Sequence, residues 1–168
     1  MVSFEKTYYE SATELENRLD KNAFLINEEK IESNNFIKFS NDLVDIGFIY
    51  YSVGLEPQLV LLTHSNKIFL GINNIYACLD YTAKSLLFEK ELPSLLYEIL
   101  SDSDSKYIIY VCELDIVIYD SNGLFLWKIG FRDTIENYYI EGNDAIVIEC
   151  SDGDKTTFSL DTGKVVRY

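Results

Sequence analysis

The stretch from Tyr107 to Trp127, YIIYVCELDIVIYDSNGLFLW, decides the fold. Its first run, Tyr107 to Cys112, is apolar on both faces, and a second, Ile116 to Tyr119, resumes after Glu113-Leu114-Asp115, a gap short enough for a hairpin. After Asp120, Ser121-Asn122-Gly123 supplies residues that tolerate positive φ, and the Asp side chain can bond nearby backbone to close a second turn. Leu124 to Trp127 then reads as a third strand, so the stretch is a meander.

The pattern returns when the chain is shifted by 40 residues: Ile68-Phe69-Leu70 falls on Ile108-Ile109-Tyr110, Asp80 on Asp120, and Leu86-Leu87 on Leu126-Trp127. Asn73-Asn74 then occupies the first turn. A third copy aligns Cys150 with Cys112 and Asp161-Thr162-Gly163-Lys164 with Asp120-Ser121-Asn122-Gly123, with three residues inserted around Ser151-Asp152-Gly153-Asp154. A repeat of this length closing on an Asp-x-x-Gly or Asp-Thr-Gly-Lys turn resembles a blade of a β-propeller. Fewer than three full blades fit between residues 67 and 167, whereas a closed propeller needs at least about four. The expected fold is therefore mainly β: antiparallel meander sheets with propeller-blade-like repeats, left open or folded over. The plainer alternative is an ordinary meandering sheet whose periodicity is accidental.

The rest of the chain is read around this core as a single domain over residues 1–168, with 1–55 an N-terminal cap and 58–168 the repeat-like β region. Ser11-Ala12-Thr13-Glu14 reads as a capping box, and Leu15, Leu19 and Ala23 keep helical spacing, which predicts a helix over about 12–22. Strands are expected at 24–26, 36–39, 46–53 and 58–63, with a polar loop over 27–35. Leu95, Leu96, Ile99 and Leu100 form an apolar stripe at helical spacing, so a short helix is expected near 93–101. Asp133 to Glu136 reads as one helical turn, followed by strands at 137–140 and 145–150.

Composition narrows the class. A hydrophobic content of 48% with 13 tyrosines and 10 phenylalanines excludes disorder. The opening residues are too charged for a signal peptide and no apolar run approaches a membrane span, so a cytoplasmic protein without membrane contact is expected. Cys78, Cys112 and Cys150 lie in apolar strands with no CxxC pair, which reads as buried thiols in a reducing compartment. With 28 acidic and 14 basic residues the net charge is −14, and residues 98–161 carry 14 acids against 4 bases. Such a field repels nucleic acid and attracts a basic partner.

Chemistry-bearing motifs are scarce. His64 is the sole histidine, in a turn, and no phosphate-binding glycine loop or zinc spacing occurs. Asp102/Asp104 and Asp152/Asp154 read as turn chemistry and Trp127 as core. No catalytic residue, metal or cofactor is expected. If the repeats stack in register, the first turn of each copy lies along one edge, setting Asn73, Asn74, Glu113, Asp115, Asp152 and Asp154 in a row with Arg132 and Asp133 beside it. Glu113, Asp115, Asp133, Asp152 and Asp154, framed by Tyr138 and Tyr139, are the candidate partner-binding residues, since charge steers encounter and tyrosines anchor it. The opposite edge collects Asp80, Asp102, Asp104, Asp120, Asp144 and Asp161, most of them turn formers.

A small acidic domain without catalytic groups, rich in Asn, Ile, Lys and Tyr and ending in this strand pattern, resembles the immunity proteins that bacteria encode beside polymorphic toxins, including those of contact-dependent growth inhibition. That resemblance implies a basic toxin-domain partner, often a nuclease, whose active site the protein occludes. A protein-interaction scaffold, a nucleic-acid mimic and, last, a small-molecule enzyme with a pocket near His64 stay open, as does dimerisation through open strand edges.

Overall fold

Tyr107–Cys112 is buried at every position because its sheet is covered on both sides. The computed structural model describes residues 3–28 and 33–166, which build four small sheets stacked face to face in chain order. The first contains β1 (Glu5–Tyr9), β2 (Phe24–Asn27), β3 (Asn35–Ser40) and β4 (Asp45–Tyr50), in the order β1-β3-β4-β2. Strand β2 runs parallel to β4, the others antiparallel. The second follows chain order through β5 (Gln58–Leu62), β6 (Lys67–Ile72), β7 (Ile75–Asp80) and β8 (Ser85–Glu91).

The third repeats that plan with β9 (Leu96–Ser101), β10 (Tyr107–Cys112), β11 (Asp115–Asp120) and β12 (Phe125–Gly130). The fourth holds β13 (Ile135–Glu141), β14 (Ala145–Cys150) and β15 (Lys155–Ser159), and Val165 starts a further pairing with Phe158. The 40-residue repeat is thus β6–β8 against β10–β12, and a complete blade adds one strand in front.

Three apolar layers fill the gaps between sheets. Phe39 and Phe48 meet Ile68, Leu70 and Leu79; Phe69 and Tyr76 meet Ile108, Tyr110 and Tyr119; Ile109, Ile116 and Ile118 meet Ile146, Ile148 and Phe158. The middle sheets alternate between layers, which is why their strands read as continuous apolar runs. The two ends of the stack differ. Helix α1 (Ala12–Arg18) covers the outer face of the first sheet with Leu15 fully buried, and Leu19 sits where a side chain at Gly47 would fall, 2.9 Å from its missing Cβ. The outer face of the fourth sheet carries Tyr139, Glu149 and Lys155, as expected of a solvated terminal repeat.

The cap half of the box forms, Ser11 Oγ accepting from the Glu14 N–H at 3.2 Å, while the Glu14 carboxylate reaches one residue further and accepts from the Glu10 N–H at 3.0 Å. The helix stops at Arg18 instead of 22, because Leu19 turns extended and Asp20 accepts the Asn22 N–H in a turn. Strand β4 ends at Tyr50, and β1, a polar edge strand, was not anticipated. The loop expected over 27–35 falls partly on residues 29–32, outside the described residues. Within it, β2 reaches Asn27 and β3 starts at Asn35.

The helix expected near 93–101 is replaced by β9. Its register against β10 shifts: Leu96 pairs with Cys112 and Glu98 with Val111, leaving Tyr97 as an extra residue. That bulge reverses the alternation once, so the inward residues of this strand, Leu96 and Ile99, stand three apart. The spacing of a helical stripe was imitated by a bulged strand. The helical turn expected at Asp133–Glu136 is likewise absent, because Ile135 donates its N–H to Glu113 O at 2.8 Å and opens β13. Among the described residues no helix is long and apolar enough to cross a membrane.

Candidate functional site

At one end of the stack, hairpin turns and inter-sheet crossovers interlock through main-chain hydrogen bonds. Leu92 and Leu96 donate to Asn74 O and Asn73 O, both at 2.6 Å, and Glu113 donates to Leu95 O at 2.8 Å. Phe131 donates to Leu114 O at 2.7 Å and Ser151 to Thr134 O at 2.9 Å. Turn, crossover, turn, crossover and turn therefore form one belt, and the turns at 73–74, 113–114 and 151–154 share an edge as expected. Glu91 joins them from the end of β8, opposite Ile75. Sequence reading missed it because it follows the second turn of its repeat; the signal was that a third strand must run back to the same end.

The row's members have different work. Asn73 is buried at φ 51°, and its Nδ2 donates to both Glu28 oxygens at 3.1 Å and to Tyr51 O at 2.7 Å, joining the first two sheets. Asp115 accepts from Ser94 Oγ at 2.9 Å, while Ser94 Oγ accepts from the Leu114 N–H at 3.1 Å. A Cβ at Gly130 would stand 3.2 Å from the second Asp115 oxygen, so glycine leaves room for this carboxylate to brace the crossover. Asp152 accepts from the Asp154 N–H at 2.9 Å and shapes its own turn.

Glu113 is half-buried. Asp133, Asp152 and Asp154 line a cavity of about 110 Å³ with Arg132, Phe131 and Cys150. Burial pushes the Cys150 thiol up, and the charges of Asp152, Asp133 and Asp154 push it further, as befits three carboxylates gathered round one sulfur. Arg132 is exposed and forms no ion pair among the described residues. The surface is a negative, rigidly held end that accepts hydrogen bonds and attracts cations. No group of three or more His, Cys, Asp or Glu among the described residues is placed to hold a metal ion.

Tyr138 and Tyr139 do not frame this end together. Successive strand residues face opposite ways. Tyr138 turns into the layer between the third and fourth sheets, where its hydroxyl donates to Glu98 at 3.0 Å, and burial first, then that bond, pushes its phenol up to about 12. Tyr139 lies on the outer face, with Lys155 Nζ 5.5 Å from its ring centre.

The opposite end holds the turn formers. Asp80 accepts from the Ala83 N–H at 2.8 Å, Asp102 from the Tyr107 N–H at 2.6 Å, and Asp120 from the Leu124 N–H at 2.8 Å. His64 is exposed in the β5–β6 turn. All three cysteines are buried and free. Trp127 is half-buried, its Nε1 donating to Leu160 O at 2.7 Å, and its ring lies over Gly163.

No protein-family model matches the chain, and no curated protein does. Solved structures, β-propellers among them, do resemble it in shape. BamB from Moraxella catarrhalis matches 67% of this chain and 36% of its own at 12% identity, TM-score 0.50. The Cps50 (Swd1) β-propeller domain of Myceliophteria thermophila matches 70% and 39% at 10% identity, TM-score 0.51. The computationally designed Ika8 protein matches 80% and 46% at 13% identity, TM-score 0.52. The chain spans less than half the length of each, and the likeness is one of fold: the sheets are propeller-like blades.

Proposed function

We propose that this chain is a non-catalytic acidic binding protein that neutralises a basic toxin domain, a nuclease fitting best, by covering its active site. The observation that carries the reading is the belt end, where Glu91, Glu113, Asp133, Asp152 and Asp154 are set against Lys90, Arg132 and Lys155, the last of which is paired with Glu149. The belt's main-chain bonds hold these charges in place before any encounter, which lowers the ordering cost of binding. Carboxylates so held steer a basic partner and compete with phosphate for the same cations. A cytoplasmic setting suits the three buried thiols. The scaffold reading is second, because only the blade-like sheets support it and fold alone assigns no activity.

The test begins with retention of a partner from source lysate by the tagged protein at low and moderate salt, followed by identification and calorimetry. The variant Glu113→Gln, Asp133→Asn, Asp152→Asn, Asp154→Asn removes four charges, and Asp152→Asn keeps a carbonyl oxygen for the amide of residue 154. Affinity at low salt should fall about tenfold or more, with the gap closing as salt rises. Unchanged affinity refutes docking through this end. A retained partner without a basic surface transfers support to the scaffold reading.

A further inference from the structure

Strands β5, β9 and β13 form one edge of their sheets, and β9 lies against β5 and β6 of the neighbouring sheet, so this is the inner side of the stack. Their sequences, QLVLL, LYEILS and IENYYIE, contain no lysine or arginine but three glutamates and three tyrosines. Two of these strands, β9 and β13, touch through polar side chains at a junction we term the slot. The bulge in β9 leaves Tyr97 without a partner and sets Glu98 opposite Val111, a residue of the layer shared with the fourth sheet. Glu98 therefore faces β13, where the Tyr138 hydroxyl meets it at 3.0 Å. Leu96 faces the layer shared with the second sheet, so alternation across the bulge turns Tyr97 to the same side as Glu98.

Glu98 is half-buried, and no described lysine or arginine pairs with it. A carboxylate taken partly out of water normally acquires a cation or several hydrogen bonds, and here one phenol serves it. Tyrosine faces attract cations, and a guanidinium both stacks on a ring and forks onto a carboxylate, which a lysine ammonium does not. We infer that the slot formed by Tyr97, Glu98 and Tyr138 receives an arginine side chain of the protein partner, as an anchor separate from the acidic belt end. The inference rests on the proposed binding role and adds the chemistry of one contact.

The probe is the peptide acetyl-Gly-Arg-Gly-amide, titrated into protein with ¹³C-labelled tyrosine rings and followed by NMR, with the lysine peptide as control. The Tyr97 and Tyr138 signals should shift saturably, about tenfold more weakly in Glu98→Gln and more weakly with the lysine peptide, yet within about twofold of wild type in Asp133→Asn, Asp152→Asn, Asp154→Asn. Glutamine keeps an acceptor for Tyr138, and thermal melts of each variant report its folding. Shifts that do not saturate, that survive Glu98→Gln unchanged, or that vanish with the belt-end variant overturn the assignment. Failure of the belt-end reading shows itself differently, as unchanged partner affinity in its own variant, and leaves this titration intact.

Discussion

Tyr119 offers a quantitative test of the layer between the second and third sheets. Its ring is almost fully buried, stacks on Phe88 at 4.6 Å and meets Tyr76, Tyr110 and Phe125 edge-on. Its hydroxyl lies 3.0 Å from the Tyr76 hydroxyl and accepts from Lys90 Nζ at 3.3 Å. Tyr119→Phe keeps the ring but strands the buried Tyr76 hydroxyl, and losing a hydrogen bond plus leaving its partner unsatisfied costs about 2–3 kcal/mol. Tyr76→Phe leaves Tyr119 its lysine and should cost only about 1 kcal/mol. In the double variant nothing buried is stranded, because Lys90 reaches solvent, so the total should fall below the sum by about 1–2 kcal/mol. Urea unfolding followed by Trp127 fluorescence and far-UV circular dichroism measures all four corners of the cycle. Additive costs, or a Tyr76→Phe penalty exceeding that of Tyr119→Phe, would refute the account of this junction.

Other consequences follow from single contacts. Gly163 sits at φ 68° with its missing Cβ 2.7 Å from Trp127 Cδ2, so Gly163→Ala should cost about 2 kcal/mol or more and shift the tryptophan emission. Burial pushes the Cys78 and Cys112 thiols up to about 12, so Ellman's reagent at pH 8 should label neither until denaturant is added. Folded-state values raised above the unfolded one give a stability contribution that is whole below about pH 9 and lost progressively as pH rises toward 12, readable as a falling urea midpoint. Prompt labelling of native protein, or a midpoint flat across that range, would contradict the burial.

The edges bear on association. The outer strands β8 and β12 each carry a register shift against their neighbours, between Cys78 and Leu79 and between Ile118 and Tyr119. Bulges twist an edge away from continued pairing, which is how open sheets avoid sticking to copies of themselves. Leu86, Leu87 and Phe125 stay exposed on these strands, and Leu124 in the turn before β12.

Much of the fold could be read from the chain alone. The runs Lys67–Ile72 and Tyr107–Cys112 are apolar on both faces because sheets cover them on both sides, and Asp80 and Asp120 announce their turns because each bonds the amides two to four residues on. The Ser11 cap was equally legible, being a contact within four residues. These features depend on neighbours along the chain, or on burial so complete that only one residue class fits. The meander, its repeat and the common edge of the first turns followed from them.

What failed depended on partners distant in sequence. Strand β9 was mistaken for a helix because a bulge against β10 changed which side chains turn inward, and a bulge exists only once two strands are paired. Strand β1 draws its pairing from β3, some thirty residues on, and so left no local mark. Asp115 looked like a free surface acid until Ser94 and Gly130 closed around it, and Tyr138 looked like an anchor at the belt end until Glu98 drew it into the slot. Sequence determined most of the strands, the turns and the charge; tertiary packing decided the rest and which charges remain free, because a carboxylate's partners are set by the elements that fold against it.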